Sequence, residues 1–397
     1  MRVRYLVAAF SAGTVLAVAC VLPRYEADRA DGLGAQDGGG EDSAIEAQVE
    51  DSLADQPQEP SDPRPCDDCK DPALLRAPCR PDMPDPQAPS EALLFAARTV
   101  RYGVRLDDTE GTKWRTIGID LDCLATGKDG TPTQCKLAED AGIAPLVASA
   151  EDGEQGRDNS FGSNFGNLMR TAHKMGSAQP DEEVATNERW EQGEGGLLVQ
   201  LSGLDKGADD PSVQVAILST GGTVGADGGR EAPAWDGEDT WAVTSGSMLN
   251  NSPKYFDDHA YVTGNTVVAK LLTIPLQFGP AGALILRVSH ATLLLQLNAE
   301  HTKIVDGTMA GTWLTSEATA MMDLLLQQGC VSATLRETAT RFLQASSDVR
   351  HDLQPAPGVA CDAVSFSFGF TAELAKLGET IDEVPAPPLD GGCDSGP

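Results

Sequence analysis

The stretch AVSFSFGFTA, residues 363–372, sets the fold class. Val364, Phe366, Phe368 and Phe370 alternate with Ser365, Ser367, Gly369 and Thr371. A period of two puts the aromatic side chains on one face of a strand and the small polar ones on the other. Such a strand needs a core on one side only, so it belongs to a sheet whose aromatic face is buried.

Working outward, similar apolar runs bounded by Gly, Asn, Asp or Pro occur at 93–106, 115–123, 196–204, 213–220, 240–245, 260–278, 283–289 and 292–299. In YVTGNTVV, Gly264 and Asn265 lie between β-branched runs, which predicts a hairpin. Many short strands with polar turns predict a mainly β body, an antiparallel β-sandwich or jelly-roll-like fold. Helical spacing is confined to a pair over about 316–347. Its first member starts at Ser316, carries Met321, Leu324 and Leu325 on one side and stops at Gly329. Its second has Leu335, Phe342 and Leu343 as its apolar side.

The chain has 397 residues and a net charge of −31, from 60 acids against 29 bases. This balance argues against nucleic acid, whose phosphates demand a basic surface, and against docking on anionic headgroups by charge. At the N-terminus, Arg2 and Arg4 precede an apolar run over Leu6–Ala19, which has the length of a secretory signal and is short for a membrane span. The run ends in Leu16, Ala17, Val18, Ala19 and Cys20, and resembles the lipobox of bacterial lipoproteins. The resemblance covers the first twenty residues and departs from the family pattern at Ala17, where leucine is usual. It implies cleavage before Cys20, acylation of that cysteine and attachment to a lipid bilayer. Ordinary cleavage after Ala19 is the alternative. The residue after Cys20 is Val21, so the aspartate that retains some lipoproteins at the inner membrane is absent, and the expected location is the outer membrane or cell surface.

The domain reading that follows is a signal peptide over 1–19, an acidic tether over 20–90, a globular body over 91–377 and a Pro/Gly-rich tail over 378–397. Between Val21 and Ser90 there are seventeen acids and six bases, a composition that buries too little apolar surface to fold alone. Setting Cys20 aside leaves eight cysteines, an even number that reads as disulfides in an exported chain. The expected pairs are Cys123 with Cys135 and Cys330 with Cys361. The CDDC at Cys66–Cys69 has no histidine near it and acids between its thiols, which favours disulfides over zinc or redox chemistry.

Two segments are candidate sites. In TIGIDLDC, read as a strand, Ile117, Ile119, Leu121 and Cys123 share one face, while Asp120 and Asp122 share the other, about 6.5–7 Å apart. This arrangement is open to three readings: a solvated strand face, a calcium site, or a catalytic carboxylate pair. Calcium favours oxygen ligands from irregular loops, and Asp152, Asp158 and Asn159 in the Gly-rich EDGEQGRDNSFG would complete such a site. In APAWDGEDTWAV, Trp235 and Trp241 flank Asp236, Glu238 and Asp239. Rings beside carboxylates suit a glycan or protein ligand, the alternative being a core tryptophan beside a turn. The P-loop, the GxSxG elbow, HExxH and a strand followed by GxGxxG are all missing, so nucleotide and common hydrolase chemistries lack their marks.

Through GIDLDC, GRDNSFG, WDGEDTW and CDAVSFSFGF together, the body resembles large envelope lipoproteins of predatory and gliding soil bacteria, a group that brings no established activity with it. The expectation is a lipid-anchored envelope protein whose β-rich module binds or supports a partner, with calcium as the cofactor. The competing expectation is an envelope enzyme acting on glycans through paired carboxylates.

Overall fold

The computed structural model describes residues 71–83, 91–108, 110–138, 150–174, 181–205, 207–225, 228–229, 231–278, 284–327 and 333–382. The signal peptide, Cys20, Cys330 and the last fifteen residues lie outside the described residues.

Eight strands close into an antiparallel barrel. In spatial order they are β1 (Leu93–Arg101), β2 (Leu197–Ser202), β3 (Asp210–Thr223), β7 (Tyr255–Thr263), β8 (Thr266–Phe278), β9 (Leu284–Leu297), β10 (Lys303–Leu314) and β11 (Ala363–Ile381). The quoted strand closes the ring, because β11 pairs with β10 on one side and with β1 on the other, Phe370 lying opposite Val100. Across the ring β3 pairs with β7, Ile217 opposite Tyr255. The mainly β, antiparallel expectation holds, but the sandwich or jelly roll is corrected to a closed barrel. The two long-range pairings join what would otherwise be sheet edges, and closure leaves no open edge in the ring.

The barrel is filled by its own side chains, as expected for eight strands. Phe95, Val199, Val215, Val267, Leu293, Leu295, Phe366 and Phe370 belong to one buried core. The rings of Phe366, Phe368 and Phe370 follow one another at centroid spacings of 6.0 and 5.8 Å. An apolar interior is the inverse of the polar lumen of an outer-membrane barrel. Among the described residues no helix is long and apolar enough to cross a membrane.

The connection between β3 and β7 forms an outer layer. β4 (Thr240–Thr244) pairs antiparallel with the end of β3 and parallel with the end of β11, and packs Trp241 and Val243 over Leu94, Ala96, Leu198 and Leu218. The small β5 (Met248–Leu249) and β6 (Ser252–Pro253) follow it.

Between β1 and β2 a single π-helical turn over Phe161–Phe165 leads into α1 (Gly166–Lys174), and α2 (Glu182–Glu191) follows. The Glu183 carboxylate of α2 accepts hydrogen bonds from the Tyr102 and Gly103 amides just past β1. The helical pair expected over 316–347 is present as α3 (Thr315–Gln327) and α4 (Ala333–Ser346), whereas α1 and α2 were not anticipated.

Four further details differ from expectation. Cys135 is bonded to Cys361, 226 residues away, so neither expected pair forms; Cys79 and Cys123 are in disulfides as well. β9 is one strand rather than two, with His290 at φ 49° in an irregularity that takes up one residue against β10. The body reaches beyond residue 377, since β11 runs to Ile381. Residues 71–83, inside the expected tether, pack on the body: Tyr261 and Thr263 donate to the carbonyls of Pro78 and Cys79, and Arg80 donates to those of Pro211 and His259.

Candidate cation site

The polar half of the β11 alternation is the floor of the site. Ser365 and Ser367 are fully buried although they face away from the aromatic core, because two loops lie on them. The Ser365 hydroxyl donates to Asp348 Oδ2 at 2.6 Å and accepts from the Ser160 amide at 2.8 Å. The Ser367 hydroxyl donates to the carbonyl of Asp158 at 2.9 Å. One residue on, Phe161 enters the core, its ring 4.7 Å from that of Phe366. The segment 158–161 is thereby fixed at both ends of a short span.

GIDLDC is not a strand. Its apolar residues do share a face, with Ile119 and Leu121 packed against Ala310 and Leu353 on the outside of the barrel. Its aspartates, however, turn into the backbone. Asp120 Oδ1 accepts from the amides of Asp122 and Cys123, and Asp122 Oδ1 accepts from that of Leu124. These local turns replace a ladder of strand hydrogen bonds, as Asp readily does. Gly118, at φ +109°, allows the close approach: a Cβ there would lie 2.7 Å from the Ser367 hydroxyl and 2.9 Å from the Asp158 carbonyl. The solvated strand face is therefore corrected, since Asp120 and Asp122 are 2% and 8% exposed.

The second loop meets the first. Leu121 N donates to Asp158 Oδ2 at 2.6 Å, and Asp158 N donates to the carbonyl of Ile119 at 2.9 Å. Carboxylate oxygens of Asp120, Asp122 and Asp158 all lie within 4.8 Å of one another. Asp152 stands beside them, holding the Thr126 amide at 2.6 Å. Asn159 is directed elsewhere, its oxygen accepting from the Gly162 amide at the start of the π-helical turn.

Sequence inspection missed three participants. Asp348, between α4 and β11, is half-buried and accepts from the Ser365 hydroxyl and amide. Arg76, in the expected tether, reaches Asp120 Oδ2 at 2.9 Å and forms the ion pair of the cluster. Gln134, 1% exposed, lies close enough to Asp122 to favour its ionised form, yet neither atom of its amide has a hydrogen-bond partner among the described residues.

At that spacing two like charges repel by about 3–4 kcal/mol at an effective dielectric near 20, and burial adds its own penalty. The carboxyl groups accordingly shift upward. Burial, with the Asp120 charge behind it, raises Asp122 to about 6. Burial raises Asp152 to about 8 against the Thr126 hydrogen bond. Asp348 rises to about 7 through burial although both Ser365 hydrogen bonds oppose it. Asp158 goes well above the ordinary range through burial and the charges of Asp122, Asp152 and Asp348. Without a compensating cation these groups hold their protons to higher pH than an ordinary aspartate does.

The residues fit a hard divalent cation. Asp120, Asp122 and Asp158 each offer one carboxylate oxygen to a common point, and the buried Gln134 carbonyl oxygen beside Asp122 adds a neutral ligand of the same kind. An all-oxygen set from irregular loops suits calcium, whereas zinc prefers nitrogen and sulfur.

The second candidate segment is built differently. Trp241 is buried, and Trp235 packs on it at a centroid distance of 5.5 Å, with the Arg98 guanidinium 5.2 Å from the Trp235 ring centroid. Asp239 accepts from the amides of Ala234 and Trp235, and Asp236 from that of Glu238. The acids thus hold a turn.

No family model matches this chain, and neither a curated protein nor a solved structure does. The chemistry has to be read from the residues themselves.

Proposed function

We propose that this protein is a lipid-anchored component of the bacterial cell envelope whose β-barrel is a binding or structural module stabilised by calcium. The observation that carries the cation reading is the meeting of Asp120 and Asp122 with Asp158, on a loop more than thirty residues away, beside the unpartnered Gln134 amide. A cation held there would tie together three pieces of chain: the GIDLDC loop, the GRDN loop and, through the Ser367 bond to the Asp158 carbonyl, the outer face of β11. Burial favours an ion over a glycan, since a polysaccharide needs an open cleft to reach two carboxylates. The lipid anchor rests on the signal-like N-terminus and Cys20.

Fractionation of cells expressing the full chain tests the anchor. Wild type is expected with the membranes and Cys20→Ser in the soluble fraction; membrane association of Cys20→Ser contradicts the anchor. Direct titration of metal-free protein with calcium tests the module. One saturable site is expected in wild type and none in Asp122→Asn, and a wild type that takes up no calcium contradicts the cation reading.

A further inference from the structure

Between the π-helical turn with α1 and the segment around Trp114 lies a cavity of about 320 Å³, and its walls have the opposite charge character to the chain. Arg115, Lys128, Arg170 and Lys174 line it against only two acids, Glu110 and Glu151. In a protein of net charge −31, four cations on one small concavity are unexpected.

Arg170 is the buried cation of the cavity wall. It is 7% exposed, yet its Nη1 has no hydrogen-bond partner among the described residues, and no described carboxylate forms an ion pair with it. Asp108, the acid whose charge it feels, is occupied by the amides of Gly111 and Lys113. A buried guanidinium without a partner is costly and calls for an anion.

The space around it is shaped by two glycines. A Cβ at Gly111, where φ is +68°, would lie 2.8 Å from Arg170 Nη2, and one at Gly166 would lie 2.9 Å from Nη1. Arg115 is already engaged, stacked on Trp114 at 5.2 Å and paired with Glu151 at 2.6 Å, so the unmatched charge belongs to Arg170 with the exposed Lys128 and Lys174 at the rim. Ser163 and Asn167 complete the wall with neutral polar groups.

From this geometry we infer that the cavity is a binding site for a small molecule bearing a carboxylate or phosphate group, held by the Arg170 guanidinium. A guanidinium presents a planar fork that matches an oxyanion with two parallel hydrogen bonds, and the volume lies in the range of small-ligand pockets. Ser163 and Asn167 would then bond the neutral part of the ligand. The inference is independent of the cation site, because none of the carboxylates that define that site lines this cavity.

The test is calorimetric titration of the full chain with inorganic phosphate and with glucuronate, at constant ionic strength against chloride, in buffer stripped of divalent metals. Saturable binding of one ligand per chain is expected, with phosphate and glucuronate competing and their relative affinities identifying the class. Lys174→Gln, an exposed substitution, is expected to weaken binding about three- to tenfold without changing the melting temperature of the ligand-free protein. Arg170→Gln is expected to abolish binding. Should Arg170→Gln fail to fold, Lys174→Gln decides the matter, since binding that it leaves unchanged overturns the inference. Absence of saturable binding to the wild type overturns it outright.

Discussion

The two faces of β11 are both buried, by opposite means. Inward, Phe366, Phe368 and Phe370 are covered by other apolar groups, and nothing in that contact depends on protons or ions. Outward, Ser365 and Ser367 are covered by loops that bring Asp158 fully and Asp348 partly out of water with them, and that burial is tolerable only when the charge is neutralised. One face should be indifferent to solution conditions and the other governed by them.

The largest effect is expected on the inner face. Phe366→Ala should destabilise by about 3–5 kcal/mol in urea denaturation, by the same amount with and without calcium and at about pH 5 and pH 8. A cost that varies with either condition would break the separation of the faces.

The wild type itself should respond through the outer face. Asp122, Asp152 and Asp348 have folded-state values of about 6, 8 and 7, each above the ordinary 3.8. The folded state therefore binds more protons than the unfolded one, so stability is fullest below about pH 4 for these groups and is lost as pH rises through those values. Metal-free protein should lose at least about 2 kcal/mol between roughly pH 5 and pH 8, measured by chemical denaturation. A flat or rising profile would contradict the shifts.

Ser365→Ala removes the donor to Asp348 and the acceptor for the Ser160 amide. A loss of about 1–2 kcal/mol is expected, larger at about pH 8, where Asp348 is ionised, than at about pH 5. The smallest effect belongs to the turn outside both faces. Asp239→Ala should cost about 0.5–1.5 kcal/mol by freeing the Ala234 and Trp235 amides, with no change in calcium response. A changed calcium response would link WDGED to the cation site.

How much of this was legible can be traced residue by residue. The strand at 363–372 was readable because its period is local, and so was the Gly264–Asn265 hairpin. Closure was not, because it depends on Ile217 meeting Tyr255 and Val100 meeting Phe370, and no local pattern encodes such distant pairings. In GIDLDC the alternation of Ile119 and Leu121 was real, but a loop lying on a barrel can also present every second residue inward. The meeting of Asp120 and Asp122 with Asp158 follows the expected pairing of the two loops, while Asn159 turns instead to the Gly162 amide. Asp348 carried no signal within SSDVR, and Arg76 was hidden by the Pro- and acid-rich composition around it. The Cys135–Cys361 bond could not be chosen from spacing alone.

The central claim is that the outer face of β11 carries a site that is complete only with a cation. Its most direct test is the melting temperature of wild type and Asp158→Asn at about pH 8, each with calcium removed and with calcium at roughly 5 mM, above the dissociation constants of extracellular sites. Wild type should rise by roughly 5–10 °C on adding calcium. Asp158→Asn, freed of a carboxyl that the folded state must keep protonated, should melt above metal-free wild type and not respond to calcium. A wild-type melting temperature that calcium leaves unchanged, or an Asp158→Asn that responds as wild type does, would contradict the account.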